Sequence, residues 1–187
     1  MGGILALHVA TTQRAAIERV VLIDACLLRA SALLQHPYGA AGDIPLAVNL
    51  SAQFAASLVP LSSAMTSLLA GNSILRRLTL WPFVKDPASL DPSLLREVLR
   101  STGGLSGVLA AFRIGRATTL PEVLQSVEQP VDLVWGENDR LLDRADIEEC
   151  NRLLRVGEQH VIKDCGHWPM VEKPDELASF LCEERRR

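Results

Sequence analysis

The sequence predicts an α/β fold, a doubly wound parallel sheet with a helical segment inserted after its first strand. Three observations carry this. Val20-Val21-Leu22-Ile23-Asp24, Val131-Asp132-Leu133-Val134-Trp135 and Gln159-His160-Val161-Ile162-Lys163-Asp164 are short runs rich in apolar and β-branched residues, the pattern of sheet strands. Helical patterns separate the second run from the third and follow the third, which is the rhythm of a parallel sheet. About a hundred residues lie between the first and second runs, far more than a crossover needs.

Taken in order, Ile4 to Ala10 is apolar nearly all round and predicts a buried helix. The first strand comes next, continuous enough to be buried on both faces. The insertion, residues 27–116, has Pro and Gly breaks and no convincing strand, but two helices stand out: Ser73 to Leu80, and Pro92 to Arg100 after an Asp91 cap. Pro130 and Gly136 bound the second strand. Ala145 to Arg155 reads as a helix with Ile147, Leu153 and Leu154 on its apolar side. The third strand ends before Cys165-Gly166. Pro174 then opens a last helix, with Asp175 and Glu176 at its positive dipole end and Leu177, Phe180 and Leu181 at helical spacing. The predicted organisation is a core from 1–26 and 117–187, with 27–116 as a helical lid.

Composition narrows the function classes. Apolar residues make up 48% and charged residues 22% of 187 positions, an ordinary globular balance. A net charge of −3 argues against nucleic acid as a partner, and the terminal Arg185-Arg186-Arg187 comes after Glu183-Glu184 as a solvated helix end. Ile44 to Leu75 contains no charged side chain. Pro45, Pro60 and many Ser, Thr and Asn residues interrupt it, whereas a spanning helix wants about 20 mostly apolar residues. It reads instead as short helices covering an apolar pocket, with no membrane span. Cys26, Cys150, Cys165 and Cys182 form no C-x-x-C pair, and the N-terminus lacks a basic signal region. Both point to a cytoplasmic setting. Gly2 is not a myristoylation site, because Ala6 stands where that pattern wants Ser or Thr.

Two segments carry chemistry. Trp135-Gly136-Glu137-Asn138-Asp139-Arg140 ends the second strand, and Asp164-Cys165-Gly166-His167-Trp168-Pro169 ends the third. Asp139 and His167 are therefore placed at carboxyl ends of parallel strands, where open α/β sheets hold their sites. A carboxylate beside an imidazole fixes the ring tautomer and stabilises the imidazolium formed on proton uptake. On the residues alone, Asp139 also serves as a turn-closing residue after Gly136, and His167 as a packed loop histidine. Cys26 and Cys165 read as small buried residues, and His8, His36 and His160 as structural. A zinc set from Asp164, Cys165 and His167 is too tightly spaced for tetrahedral ligation.

Pro130 to Asp139 resembles the P-v-l-v-x-W-G-x-x-D segment of the α/β-hydrolase family, and Gly166-His167-Trp168 resembles its terminal G-H loop. Met1-Gly2-Gly3, an apolar helix and Val21-Leu22-Ile23-Asp24-Ala25 resemble the stretch after the nucleophile in G-x-S-M-G-G. The resemblance is strong over 1–26 and 121–182 and loose through the lid. It implies that the first strands and the nucleophile precede Met1, and that the Met1 backbone N–H is half of an oxyanion hole. By the same resemblance, Asp139 is expected to orient His167, and His167 to be the general base. Dehalogenase and epoxide hydrolase members, with an aspartate nucleophile, usually carry Trp where this chain has Met1. Met there implies a serine enzyme cleaving esters, amides, thioesters or activated C–C bonds. Asp24, also at a strand end, is by resemblance an alternate acid of the kind some dehalogenase-like relatives use, or else it caps the strand or hydrogen-bonds the entering lid. No cofactor or metal is implied, and the uncharged lid favours a small apolar substrate. The alternatives are a truncated or pseudoenzyme form that binds a small ligand without catalysis, and a mis-started gene product.

Overall fold

The computed structural model describes residues 2–25, 61–101 and 119–184, with positions 28, 32, 109, 113 and 114 between them. Met1, Cys26, His36 and most of the expected insertion, including the uncharged stretch up to position 60, lie outside the described residues. The elements are α1 (Gly2–Thr12), β1 (Val20–Ile23), α2 (Ser63–Gly71), α3 (Ser73–Leu80), α4 (Pro92–Ser101), α5 (Leu120–Ser126), β2 (Val131–Gly136), α6 (Arg144–Leu153), β3 (Val156–Ile162), α7 (Pro169–Glu172) and α8 (Pro174–Glu184). The strands form a parallel sheet in the order β1-β2-β3. No helix among the described residues is long and apolar enough to cross a membrane.

These residues fall into two compact units. The first holds α1, β1, α5, the first half of β2, α6 and the start of β3. Helix α1 packs on β1 and α5, but not as its all-round apolarity predicts. Only Leu7 and Ala10 are buried, while Leu5 and Val9 are 50% and 44% exposed. The contact face is a single narrow stripe that Gly3 continues. A Cβ on Gly3 would stand 2.5 Å from that of Ala25, so glycine permits the close approach. The Gln129 amide closes the other end of α1, donating to Ala10 O at 3.1 Å.

Strand β2 is buried at every position but Trp135, and that includes Asp132. Its carboxylate is fully buried and ion-paired with Arg19; it accepts from Arg19 Nη2 and from the Glu158 amide, both at 2.7 Å. A buried carboxylate is tolerated only when paired and hydrogen-bonded in this way. Gly157 makes the room, since a Cβ there would collide with the Asp132 carboxylate. This corrects the third strand. It begins at Val156 and ends at Ile162, and it alternates half-buried with exposed positions until Ile162. The polar Gly157-Glu158 stretch belongs to it because Glu158 bonds Asp132. Strand β1 likewise alternates, with Val20 and Leu22 buried and Val21 and Ile23 only partly so. Helix α6 buries Asp146, Cys150 and the adjoining Leu154, leaving Ile147 and Leu153 partly exposed. Asp146 turns inward because it closes a capping box with Asp143.

The second unit holds α2, α3, α4, the end of β2 with its turn, the end of β3, α7 and α8. Helices α2, α3 and α4 begin where side chains accept the free amides of the first turn. Ser62 Oγ accepts from Met65 N at 3.2 Å, Asn72 Oδ1 from Ile74 N at 3.0 Å and Asp91 Oδ1 from Ser93 N at 2.6 Å. Ala70, Leu80, Val84, Leu90, Leu95 and Leu99 form its core.

Candidate active site

Asp139 stands on the turn that ends β2, and that turn is fixed by backbone bonds to the end of β3. Glu137 N donates to Ile162 O at 2.9 Å, Asn138 N to Cys165 O at 2.8 Å, and Asp139 N back to Gly136 O at 3.1 Å. The two segments touch so closely that a Cβ on Gly136 would lie 2.5 Å from Cys165 O and collide with Gly166 O. Asp139 Oδ1 accepts from Leu141 N at 2.7 Å. The turn-closing role open on the sequence is thus real, and it leaves Oδ2 for other use.

His167 comes after β3 and a sharp bend, with Asp164 in the left-handed region at φ 52°. The bend is held from three sides. The His167 amide donates to Phe83 O at 2.7 Å. The Glu172 carboxylate accepts from Gly166 N at 2.8 Å and from Lys85 N at 2.9 Å. Lys85 also pairs with Asp164, and that hydrogen-bonded ammonium holds the Asp164 carboxyl below its ordinary range. Gly166 fits because a Cβ there would lie 2.8 Å from both Lys85 N and Phe83 O. Beside it the Phe83 and Trp168 rings stack at 5.0 Å.

Within this frame His167 Nδ1 lies 2.7 Å from Asp139 Oδ2. The Asp139 side chain is 2% exposed and that of His167 16%. An ionised carboxylate only accepts, so Nδ1 is the donor, and a neutral ring in that tautomer has its lone pair on Nε2. An oriented imidazole of this kind can take a proton from a hydroxyl or a water.

The other candidate residues are more dispersed in role. Asp24 ends β1 in the left-handed region, at φ 44°, and is buried. Cys165 is buried, with its Sγ 3.5 Å from Gly166 O and 3.8 Å from Glu172 Oε1. His160 stacks on Phe180 and lies 3.3 Å from Glu176, whereas His8 is exposed. Sequence reasoning missed Phe83, Lys85 and Glu172, which hold the histidine loop. It also missed Arg140, whose Nη1 donates to Trp81 O at 2.6 Å and to Val84 O at 2.9 Å. Arg140 and Glu172 sit close to the motif residues in sequence, and that proximity was the available signal. Phe83 and Lys85 had none.

The family model described as the alpha/beta hydrolase family matches residues 1–180. The chain belongs to the alpha/beta hydrolase family. Among curated proteins this alpha/beta hydrolase is similar to epoxide hydrolase 2 of Caenorhabditis elegans, 29% identical over 46% of the chain and 24% of that protein. It is also similar to the AB hydrolase superfamily protein YfhM of Bacillus subtilis, 28% identical over 51% of the chain and 33% of that protein. Among solved structures, the thermophilic esterase of Thermogutta terrifontis superposes with a TM-score of 0.61 at 15% identity, over 99% of this chain and 61% of that one. The chain therefore spans a quarter to a third of these curated relatives, and the structural likeness is one of fold.

Proposed function

We propose that this alpha/beta hydrolase chain carries the acid–base half of a serine-hydrolase site. Asp139 orients His167, and His167 is the general base toward a serine hydroxyl supplied from ahead of Met1, a reading supported by the resemblance of Met1-Gly2-Gly3 to the stretch after the family's nucleophile. The observation that carries the reading is the 2.7 Å bond between His167 Nδ1 and the buried Asp139 carboxylate. A serine is favoured over the aspartate of epoxide-hydrolase-type members by Met1, which stands where those members usually carry Trp. The bond cleaved is then an ester, amide, thioester or activated C–C bond in a small apolar substrate. A lid formed from residues 27–116 covers the substrate, and the Met1 amide contributes to the oxyanion hole.

The steps are those of ordinary triad chemistry. Nε2 takes the serine proton as the hydroxyl attacks the carbonyl carbon, and Asp139 stabilises the resulting imidazolium. The same proton then passes to the leaving group. Water repeats the sequence to release the acid. The test uses p-nitrophenyl acetate and a chain extended upstream through the proposed serine. That protein should turn over the ester and its His167→Ala variant should lose about a millionfold in turnover, while residues 1–187 alone should not exceed their own His167→Ala control. Turnover that survives His167→Ala in the extended chain removes the proposal.

A further inference from the structure

Helix α3 is oriented against its own polarity. Its buried residues are Arg76 and Leu80, and Arg76 Nη1 donates to Leu90 O at 2.7 Å inside the second unit. Its outward side carries Ile74 and Leu78, and Trp81 at its C-cap keeps helical angles. The three are spaced i, i+4 and i+7 along one face, and they are 68%, 73% and 56% exposed. Large apolar side chains aligned on an exposed helix face mark a contact surface more than scattered ones do.

Charge and area say what fits that surface. Residues 61–85 contain no Asp or Glu. Arg77 is exposed on α3 between Ile74 and Leu78 in sequence, and the Arg140 guanidinium lies 5.0 Å over the Trp81 ring, so two cations accompany the stripe. Even at roughly 250 Å² per large side chain, the exposed portions of the three residues amount to under about 500 Å². A specific protein pair buries roughly 800 Å² on each side. A lipid surface needs no matching partner face. It takes each apolar side chain independently, favours Trp at the headgroup level and attracts nearby Arg when it is anionic.

We propose that the Ile74–Leu78–Trp81 face of α3 docks on an anionic lipid surface, with Arg77 and Arg140 against the headgroups. Docking there needs no catalysis, so the proposal goes beyond the hydrolytic reading. The docked element also reaches the histidine loop. Trp81 leads directly into Phe83, whose carbonyl holds the His167 amide.

The test is co-sedimentation of the 187-residue chain with vesicles of equal parts phosphatidylcholine and phosphatidylglycerol, together with Trp fluorescence. The chain should bind, its emission should shift to the blue, and binding should weaken on phosphatidylcholine alone. Arg77→Ala should weaken binding roughly fivefold, and Leu78→Asp at least tenfold. Both side chains are exposed, so an unchanged urea midpoint shows that each variant is folded. Absence of binding to either vesicle, or equal binding by folded Leu78→Asp, overturns the proposal. Concentration-dependent self-association that Leu78→Asp dissolves overturns it as well, since a second copy then covers the face. None of these readouts depends on His167 or on turnover.

Discussion

The two oxygens of the Asp139 carboxylate face different groups, Oδ1 accepting from Leu141 N and Oδ2 meeting His167 Nδ1. Asparagine keeps the first bond with its carbonyl oxygen but turns an NH2 toward the ring. That forces the proton onto Nε2, the nitrogen that must be bare to act as base. On the proposed mechanism, Asp139→Asn in the chain bearing the serine should leave the urea midpoint nearly unchanged and lower kcat by about 10⁴-fold, read from steady-state ester hydrolysis. Both members of the pair were legible in the sequence because each comes after a recognisable strand and sits in a short glycine-bearing motif. The dual use of Asp139 was not. The sequence offered turn-closing and ring-orienting as alternatives, and the two carboxylate oxygens allow both.

At the scale of elements, α7 matters for one side chain. Glu172 gathers the amides of Gly166 and Lys85, groups that would otherwise sit half-buried without a charged acceptor. Hydrogen bonds to a charged group contribute about 1.5–3 kcal/mol each, less where water reaches them. Glu172→Ala should therefore cost about 2 kcal/mol in urea unfolding. It should also broaden the amide resonance of His167 while leaving resonances of α6 in place. Local patterns read the helices well: α3 is as the sequence predicts, α4 differs by one residue, and α8 starts at Pro174. They misread α1 and β3 for one shared reason. Periodicity reports which side chains could be buried, whereas burial depends on the neighbour. Leu5 and Val9 have none that covers them among the described residues, and Glu158 is drawn into β3 by a carboxylate on β2.

For the molecule as a whole, the sheet is fastened at Asp132. This one carboxylate binds Arg19 just ahead of β1 and the Glu158 amide on β3. Arg19→Ala would leave a fully buried charge with its amide partner alone. Removing one member of a buried pair costs about 3–5 kcal/mol, and the partial exposure of Arg19 sets the expectation near about 3 kcal/mol, read as a lowered urea midpoint. The strand run Val131 to Trp135 was readable around Asp132, yet nothing in the local sequence pointed to its partner, because Arg19 stands 113 residues away.

Separation of that kind also sets a timetable. The bond from Lys85 N to Glu172 joins residues 87 apart, and the Phe83 carbonyl meets the His167 amide across a comparable gap. Closing long loops is entropically slow. The bend bearing His167 can therefore lock only after α2, α3 and α4 have gathered, whereas their caps form from neighbours in sequence. In a refolding experiment the helices should arrive first and the imidazole should reach its final setting last.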